Sequence, residues 1–311
     1  MIKMENNIIA VAPMQGYTDA PFRHFHSAIY DGAGDMYCSP FIRVEHGEIR
    51  RRDLRDITSE FNSGMNLLPQ IIFRDLDEFR RLVEAVAGAG YGKIDLNMGC
   101  PFPPQVKKGR GAGMILNPAE LERIVSAVNS YQEIHFSVKM RLGVTSPDEF
   151  RAVVPLLNEM RLEHVTVHPR VAAQQYGGEL YMAQYEELRD ALSHPVIYNG
   201  DIISPADIDA ALSHGDGVMI GRGILARPSI IAEWREGREW NDSERLEKIL
   251  QLHAGIFDHY EATLCGDAQI LMKIKPFWDY LEPEIGHKSF KLIKKATSVV
   301  KYQSAVATIT D

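Results

Sequence analysis

Short apolar runs alternate with amphipathic segments along the chain up to about residue 235. The apolar runs predict strands, and the segments between them carry apolar residues at spacings of three and four, which is typical of helices. One of them, 75–89, places Leu76, Phe79, Leu82 and Val86 on a single helical face. The predicted strands are 8–12, 35–41, 67–73, 93–97, 135–140, 164–168, 195–199 and 217–221.

Eight strand–helix alternations in this length indicate a (β/α)8 barrel, the TIM-barrel fold of the α/β class. A doubly wound open sheet is the competing architecture. The count of eight and the lack of a glycine-rich first turn disfavour it. The segment 43–66 is polar and charged, and it predicts a loop with a little helix.

The alternation stops near residue 240, and the remainder predicts three helices, 243–260, 266–281 and 288–300. We therefore expect a barrel domain over residues 1–240 and a small all-helical C-terminal domain over 241–311. The helical part is rich in lysine, which favours a polyanion partner. A solvated helix face is the alternative reading. The lysines are Lys273, Lys275, Lys288, Lys291, Lys294, Lys295 and Lys301.

Composition narrows the class of protein. The chain has 311 residues, 45% of them hydrophobic, and a formal net charge of -8. It shows no apolar run long enough to span a membrane and no signal peptide, so we expect a cytoplasmic protein without membrane contact. Its three scattered cysteines imply neither a disulfide framework nor a metal site. The negative charge counts mildly against a nucleic-acid partner, although a local basic patch can still bind phosphate.

The carboxyl ends of barrel strands converge on one face, so the residues that follow the predicted strands should form one site. Most of these residues are polar, although the strands before them are apolar. They are Pro13, Met14, Gln15, Cys38, Gln70, Asn97, Cys100, Lys139, Arg141, His168, Asn199, Gly200, Asp201, Gly221, Arg222 and Gly223.

Cys100 stands out among them. It closes the stretch Asp95-Leu-Asn-Met-Gly-Cys-Pro101 and is followed by a loop of Pro, Gly and basic residues. A thiol at a strand end beside such a loop favours an exposed, functional cysteine. A buried packing cysteine is the alternative.

Three further features suit a flat, anionic cofactor. The loops after the last two strands, Asn199-Gly-Asp and Gly221-Arg-Gly, lie where barrels bind phosphate. Gln70 can donate and accept hydrogen bonds at once, which suits a heterocycle. Lys139 could form a Schiff base or could face an anionic ring. Together these residues suggest a mononucleotide such as FMN at the barrel mouth.

Several segments, taken in order, resemble the tRNA-dihydrouridine synthase family. They are Ala12-Pro-Met-Gln-Gly16, Gln70, the Asp95–Pro101 stretch, Ser137-Val-Lys-Met-Arg141, Val167-His-Pro-Arg170, Asn199-Gly-Asp201 and Ile220-Gly-Arg-Gly223. The resemblance implies an enzyme that binds FMN, oxidises NADPH and reduces the C5–C6 bond of chosen uridines in tRNA. It also implies a barrel followed by a helical RNA-binding domain, and no protein partner.

The resemblance assigns roles residue by residue. Cys100 would be the acid that protonates C5, and Asn97 and Arg141 would hold the uracil or its phosphate. Lys107, Lys108 and Arg110, with the C-terminal lysines, would form a basic rim for tRNA. The flavin would contact Pro13, Met14, Gln15, Gln70, Lys139, His168, Asn199, Gly200, Asp201, Gly221 and Arg222.

Two loops depart from the family pattern. The segment after His168 lacks the usual Thr, and Phe102-Pro-Pro stands where a small residue and Lys are common; both changes would alter RNA contacts. Three other functions stay open. A flavin barrel acting on a free small molecule of the dihydroorotate or enoate type would not need the basic tail. An aldolase-type lyase using Lys139 would need no flavin, and a non-catalytic RNA-binding protein would need neither Cys100 nor Lys139.

Overall fold

The computed structural model describes residues 7–32 and 34–310. Within these residues one large sheet is assembled almost wholly from parallel neighbours. Its strands are β1 (Ile8–Val11), β2 (Met36–Cys38), β3 (Ile42–Glu45), β4 (Glu48–Ile49), β5 (Leu67–Leu68), β6 (Gln70–Ile72), β7 (Lys93–Met98), β8 (His135–Gly143), β9 (Leu162–Val171), β10 (Val196–Tyr198) and β11 (Gly217–Ile220).

The sheet closes into a ring, because β11 pairs with β1 and the short strands β5 and β6 are separated by Pro69 alone. β5 pairs with β2, and β6 pairs with β7 on its other side. β2 and β3 together form one irregular strand along that segment, since β3 pairs with β6. The ring therefore has the eight parallel positions of a TIM barrel, and the predicted fold class is confirmed.

Helices cover the outside of the ring and form the C-terminal region. They are α1 (Ala20–Ile29), α2 (Arg51–Ile57), α3 (Leu76–Gly88), α4 (Pro103–Val106), α5 (Pro118–Ser130), α6 (Val154–Glu159), α7 (Met182–Ala191), α8 (Pro205–Leu212), α9 (Arg222–Ala226), α10 (Ile230–Glu236), α11 (Asp242–Thr263), α12 (Asp267–Ile274), α13 (Glu282–Ile285), α14 (His287–Lys295) and α15 (Val299–Ala307).

The barrel interior is apolar on one side and polar on the other. Small and apolar side chains from β1, β2, β5, β10 and β11 form a compact cluster. The strands β6 to β9 instead turn buried polar side chains inward, among them Gln70, Asp95, Ser137 and His168. Buried polar side chains are normally hydrogen-bonded to one another or to the backbone. This side of the barrel is therefore a polar site and not part of the apolar core.

Three predicted elements differ in detail. The loop predicted over 43–66 contains the hairpin of β3 and β4 and the helix α2. The helix predicted over 146–160 begins as a 3-10 turn, Glu149–Ala152, and becomes α-helical only at α6. The helix predicted over 288–300 is two helices, because α14 ends at Lys295 and the Ser298 side chain caps α15 by accepting a hydrogen bond from the Lys301 backbone N–H.

The helical C-terminal region packs against the barrel. Its buried residues join those of the barrel in one hydrophobic cluster. Polar contacts reach the loop between β1 and α1, where Asp19 accepts hydrogen bonds from Tyr260 Oη at 2.7 Å and Lys273 Nζ at 2.7 Å. Tyr17 Oη donates to Asp279 at 3.0 Å. The same loop carries the predicted flavin residues Pro13, Met14 and Gln15, so the helical region packs against one loop of the predicted site. The domain boundary between residues 240 and 241 stays a prediction.

Candidate active site

An open cavity lies at the carboxyl ends of the barrel strands. This is the end of a TIM barrel at which ligands bind. Of the residues at the predicted strand ends, all but Gln70 and Cys38 line the cavity, and Cys38 is instead buried in the apolar cluster of the barrel. Those that line it are Pro13, Met14, Gln15, Asn97, Cys100, Lys139, Arg141, His168, Asn199, Gly200, Asp201, Gly221, Arg222 and Gly223.

Lys139 places a cation in the cavity wall. β8 carries it between the buried residues Val138 and Met140, and its Nζ donates a hydrogen bond to Asn199 Oδ1 at 2.6 Å. Asn199 in turn donates from Nδ2 to the Met219 carbonyl at 2.7 Å, which fixes its oxygen toward the lysine. Burial lowers the pKa of Lys139 to about 8, and the charge of Arg141 adds to the shift. Lys139 is thus mostly protonated at neutral pH and poised to face an anion.

An arginine pair closes the other side of the cavity. Arg170 and Arg222 both bind the carboxylate of Asp201, the latter from Nη2 at 2.8 Å. The hydrogen bonds from Arg170, despite opposing burial, hold the pKa of Asp201 below its usual range. Arg170 Nη1 also donates to Nε2 of His168 at 3.3 Å, which places the proton of a neutral ring on Nδ1. Burial and the charge of Arg141 hold the pKa of His168 well below its usual range.

Gly221 leaves space for a ligand beside these residues. A Cβ at Gly221 would meet Met14 Sδ at 3.5 Å and Ala12 Cβ at 3.7 Å, both ordinary contact distances. Glycine at this position therefore relieves no clash, and what it leaves free is the cavity between β11 and the loop after β1. This space, with Arg222 following at the start of α9, fits the phosphate end of a mononucleotide.

Beneath the cavity a directed chain of hydrogen bonds runs from a buried carboxylate to Cys100. Asp95 Oδ2 accepts from Gln70 Nε2 at 2.7 Å, and Gln70 Oε1 accepts from Asn97 Nδ2 at 2.6 Å. Asn97 Oδ1 then accepts from the backbone N–H groups of Gly99 at 3.1 Å and Cys100 at 2.9 Å. The other oxygen of Asp95 accepts from Ser137 at 2.6 Å. Gln70 is fully buried here and lies below the cavity rather than in its wall.

Cys100 is half-buried and reaches the cavity from the turn after β7. Burial raises the pKa of its thiol, although the backbone N–H of Phe102 opposes the shift. The thiol therefore keeps its proton at neutral pH, as a general acid must. Gly111 packs against it so closely that a Cβ there would lie 2.7 Å from Cys100 Cβ, and its φ of +58° also favours glycine.

Tyr176, which was not among the predicted site residues, also lines the cavity. Its ring lies 5.5 Å from the Arg141 guanidinium and 5.2 Å from that of Arg222. Arg141 is further held by the carbonyls of Gly99 at 3.1 Å and Val171 at 3.0 Å. The sequence signal was an aromatic residue on a loop, five residues after the end of β9 and without a recognisable spacing.

The basic rim differs from the prediction. Lys107 and Lys108 are exposed, but Arg110 is buried and binds Glu78 on α3 and the Val44 carbonyl at 2.9 Å, so its predicted rim position is wrong. Arg110 instead ties the Cys100 loop to the barrel. In the helical region, Lys294 is likewise paired with Asp279.

Comparison with known proteins identifies the family. The family model described as Dihydrouridine synthase (Dus) matches residues 10–278. This chain belongs to the dihydrouridine synthase family. It is 30% identical over 261 residues to the probable tRNA-dihydrouridine synthase 2 of Bacillus subtilis, covering 80% of this chain and 78% of that protein. It is 31% identical over 261 residues to a probable tRNA-dihydrouridine synthase of Staphylococcus epidermidis, covering 81% and 78%.

Two solved structures share the fold. Morphinone reductase superposes with a TM-score of 0.51 at 13% identity, over 76% of this chain and 87% of that one. Histamine dehydrogenase from Rhizobium sp. 4-9 superposes with a TM-score of 0.55 at 14% identity, over 80% and 49%. Members of the dihydrouridine synthase family are flavin-dependent oxidoreductases, and this chain is an enzyme of that class.

The donor set of the cavity fits a flavin mononucleotide. It offers a cation for an anionic ring, fixed amide and imidazole groups for ring edges, and glycine-flanked Arg222 for a phosphate. Among residues 7–32 and 34–310 no helix is long and apolar enough to cross a membrane. The same residues contain no cluster of three or more His, Cys, Asp or Glu side chains that could hold a metal ion.

Proposed function

We propose that this protein binds FMN, oxidises NADPH and reduces the C5–C6 double bond of specific uridines in tRNA to 5,6-dihydrouridine. The observation that carries the proposal is the cavity that brings Lys139 and Cys100 together on neighbouring strand ends, above the Asp95–Gln70–Asn97 chain. When bound, the flavin supplies hydride to uracil C6. The remaining steps are the work of the side chains.

Lys139 and the arginine pair would hold the cofactor. The ammonium of Lys139, fixed by Asn199, would face the ring where negative charge accumulates on reduction. Arg222, His168, Gly200 and Gly221, with Pro13, Met14, Gln15 and Asp201, would surround the ring edge and phosphate. Gln70 is the exception among the predicted flavin contacts. Its amide is bonded to Asp95 and Asn97, so it would support the cofactor site by holding Asn97 in place.

Cys100 would supply the proton. Hydride addition at C6 leaves negative charge at C5 and O4, and a donor must then protonate C5. The Cys100 thiol is protonated at neutral pH because burial raises its pKa. Arg141, which stays charged although burial lowers its pKa to about 10, and Asn97 would hold the uracil. A base can reach this depth only after leaving its stack.

The proposal predicts a yellow protein and a modified tRNA. We would measure flavin absorbance of the purified protein and map dihydrouridine by mass spectrometry in tRNA from cells with and without it. Bound FMN and loss of dihydrouridine at defined positions would support the proposal. A flavoprotein that reduces a free enone or pyrimidine and leaves tRNA unchanged would instead indicate a small-molecule reductase. A colourless protein that takes up no FMN would refute both.

A further inference from the structure

Exposed apolar side chains gather at the mouth of the cavity. Phe102 is 58% exposed, Tyr176 46% and Ile203 64%, and they follow β7, β9 and β10 in turn. Among the described residues, seven large hydrophobic side chains reach this degree of exposure. Tyr176 and Ile203 line the opening, and Phe102 directly follows Pro101, which lines it too. Exposed apolar residues are normally scattered singly, and a cluster marks a surface that binds something.

Phe102 is held rigidly although it is exposed. Its carbonyl accepts hydrogen bonds from the backbone N–H of Gln105 at 2.8 Å and of Val106 at 3.1 Å. Pro101 and Pro103 flank it, and each proline ring restricts its own φ and the residue before it. The buried Arg110 anchors the same loop to α3. Because the backbone is fixed in this way, a ligand that packs on Phe102 has to order only its side chain.

The ring of Phe102 has free faces. Tyr176 is engaged by Arg141 and Arg222, whereas Phe102 makes no aromatic or cation–π contact with any residue in 7–32 or 34–310. Ile203 lies on the far side of the mouth, since β7 and β10 are three positions apart in the ring of eight. Its backbone is also fixed, because its N–H donates to Asp207 at 3.0 Å.

Charge at this edge selects the class of ligand. The exposed Lys107 and Lys108 follow Phe102 by five and six residues, just beyond the end of α4. A rigid exposed aromatic ring beside flexible cations is the arrangement that binds unpaired nucleotides, with bases stacked on the ring and phosphates near the lysines. An apolar protein partner would not need the lysines.

We propose that Phe102 is a stacking platform for the nucleobase next to the uridine that enters the cavity, with Ile203 closing the opposite side of the mouth. The inference rests on the proposed function. Extruding a base from its stack costs free energy, and a ring that replaces the lost stacking partner offsets that cost. Because every base has a flat face, this contact would tolerate different neighbours and would favour unpaired loops over duplex.

The first test compares Phe102→Ala with Leu116→Ala. Leu116 belongs to the same loop and is 56% exposed, so it matches Phe102 in exposure. Pro101, next to Phe102, lines the cavity, whereas neither Leu116 nor its chain neighbours do. For unmodified tRNA transcripts, Phe102→Ala should raise Kd and KM by about tenfold, the effect of losing one base–aromatic stack. Leu116→Ala should bind as the wild type does. Equal affinity of Phe102→Ala and wild type would overturn the proposal.

A spectroscopic test asks whether the contact is a stack. Phe102→Trp should keep affinity near that of the wild type, and its added fluorescence should be quenched by tRNA, since an indole stacked on a base is quenched. Leu116→Trp should show little quenching. Equal quenching in the two variants, or none in Phe102→Trp, would overturn the inference. If the wild type forms no dihydrouridine in tRNA, the proposed function is refuted. If the wild type forms it normally and the Phe102 substitutions leave tRNA binding unchanged, only the stacking inference is refuted.

Discussion

Gln70 and Asp95 are joined by a fully buried hydrogen bond of 2.7 Å, in which the amide nitrogen donates to the carboxylate. An ionised carboxylate has only acceptors, so it fixes which way the Gln70 amide points. Gln70 then presents its oxygen to Asn97, and Asn97 presents its own oxygen to the backbone of Cys100. The orientation of the turn that carries the thiol is therefore coupled to the charge of Asp95.

That arrangement makes a prediction about stability. Burial raises the pKa of Asp95 to about 6, although bonds from Ser137 and Gln70 and the charge of Lys139 oppose the shift. Because the folded state binds this proton more tightly than the unfolded chain, the contribution of Asp95 to the free energy of unfolding falls as pH rises from about 4 to about 6. In Asp95→Asn this loss, on the order of 3 kcal/mol, should vanish.

Asn can keep both contacts, since its oxygen can accept from Gln70 and its nitrogen can donate to Ser137 Oγ. We would measure the free energy of unfolding in urea at about pH 4.5 and about pH 7.5. The stability of Asp95→Asn relative to that of the wild type should increase as pH rises. Asp207→Asn is the control without a pH dependence in this window, because a carboxyl whose folded pKa is lowered loses its contribution to stability only at lower pH. Backbone N–H groups of Ile203 and Ser204, despite opposing burial, lower the pKa of Asp207. A pH-independent difference between Asp95→Asn and wild type would contradict the assignment.

The sequence predicts the barrel because eight alternations depend on local periodicity, which tertiary packing did not override. It also predicts the cavity wall, because the carboxyl ends of the strands of a barrel converge on one face whatever conformation the loops adopt. What it could not predict depends on distant partners. Arg110 looks like a rim residue until Glu78, on α3, is seen to bury it. Gln70 is predicted as a flavin ligand from its strand-end position, and only the folded chain shows that its amide is hydrogen-bonded between Asp95 and Asn97.

In the lysine-rich C-terminal region, too, the sequence does not show which side chains are already paired in the folded chain. Lys273 pairs with Asp19 and Lys294 with Asp279, while Lys275 donates to the carbonyls of Lys294, at 3.0 Å, and Ala296. Composition counts these cations equally, but only a folded chain shows which ones are already engaged. The residues left for a polyanion are fewer than the sequence suggests.

A second prediction concerns Lys139. Lys139→Met removes the charge and keeps most of the length, so it should lower FMN affinity and slow flavin reduction by NADPH by about 10²-fold, the effect of losing one preorganised donor. With a pKa of about 8, the wild-type lysine is charged below that pH and neutral above it. The wild-type reduction rate should therefore fall above about pH 8, and that of Lys139→Met should not.

Stopped-flow flavin absorbance measures both rates. Lys93→Met is the matched control, because Lys93 begins β7 at the opposite end of the barrel and pairs with Glu163 on the surface. It should reduce as the wild type does. Wild-type flavin content and reduction rate in Lys139→Met would remove Lys139 from the cofactor site.

A third prediction separates engaged from available lysines in the helical region. Lys288, Lys291 and Lys295 are exposed and form no ion pair within residues 7–32 and 34–310. Changing all three to Glu should weaken tRNA binding and lower the slope of log Kd against log salt by about 3. Filter binding at several salt concentrations measures the slope.

Lys294→Met is the control for that experiment. It removes one charge from the same helix, but one that is committed to Asp279, so it should leave the salt slope nearly unchanged. Flavin reduction by NADPH should persist in both variants. An unchanged slope in the triple variant would refute the helical region as a tRNA-binding surface.

The last prediction tests Cys100. If its thiol protonates C5, then Cys100→Ala should still bind FMN, be reduced by NADPH and bind tRNA, while dihydrouridine formation falls by about 10²–10⁴-fold. Cys100→Ser should also be slow, because a hydroxyl is a much weaker acid than a thiol. Single-turnover formation of dihydrouridine from pre-reduced enzyme isolates this step from cofactor reduction.

A packing role predicts the reverse pattern. Cys100 is half-buried, and Gly111 packs on its Cβ, which both substitutions keep. If Cys100 only packs, Cys100→Ala should form dihydrouridine nearly as fast as the wild type, and Cys100→Ser should be slightly less stable. Cys38, fully buried in the apolar side of the barrel, is the internal control: Cys38→Ala should change stability but not the ratio of proton transfer to flavin reduction. Near-wild-type transfer by Cys100→Ala would leave the Asp95–Gln70–Asn97 chain supporting a turn and not an acid.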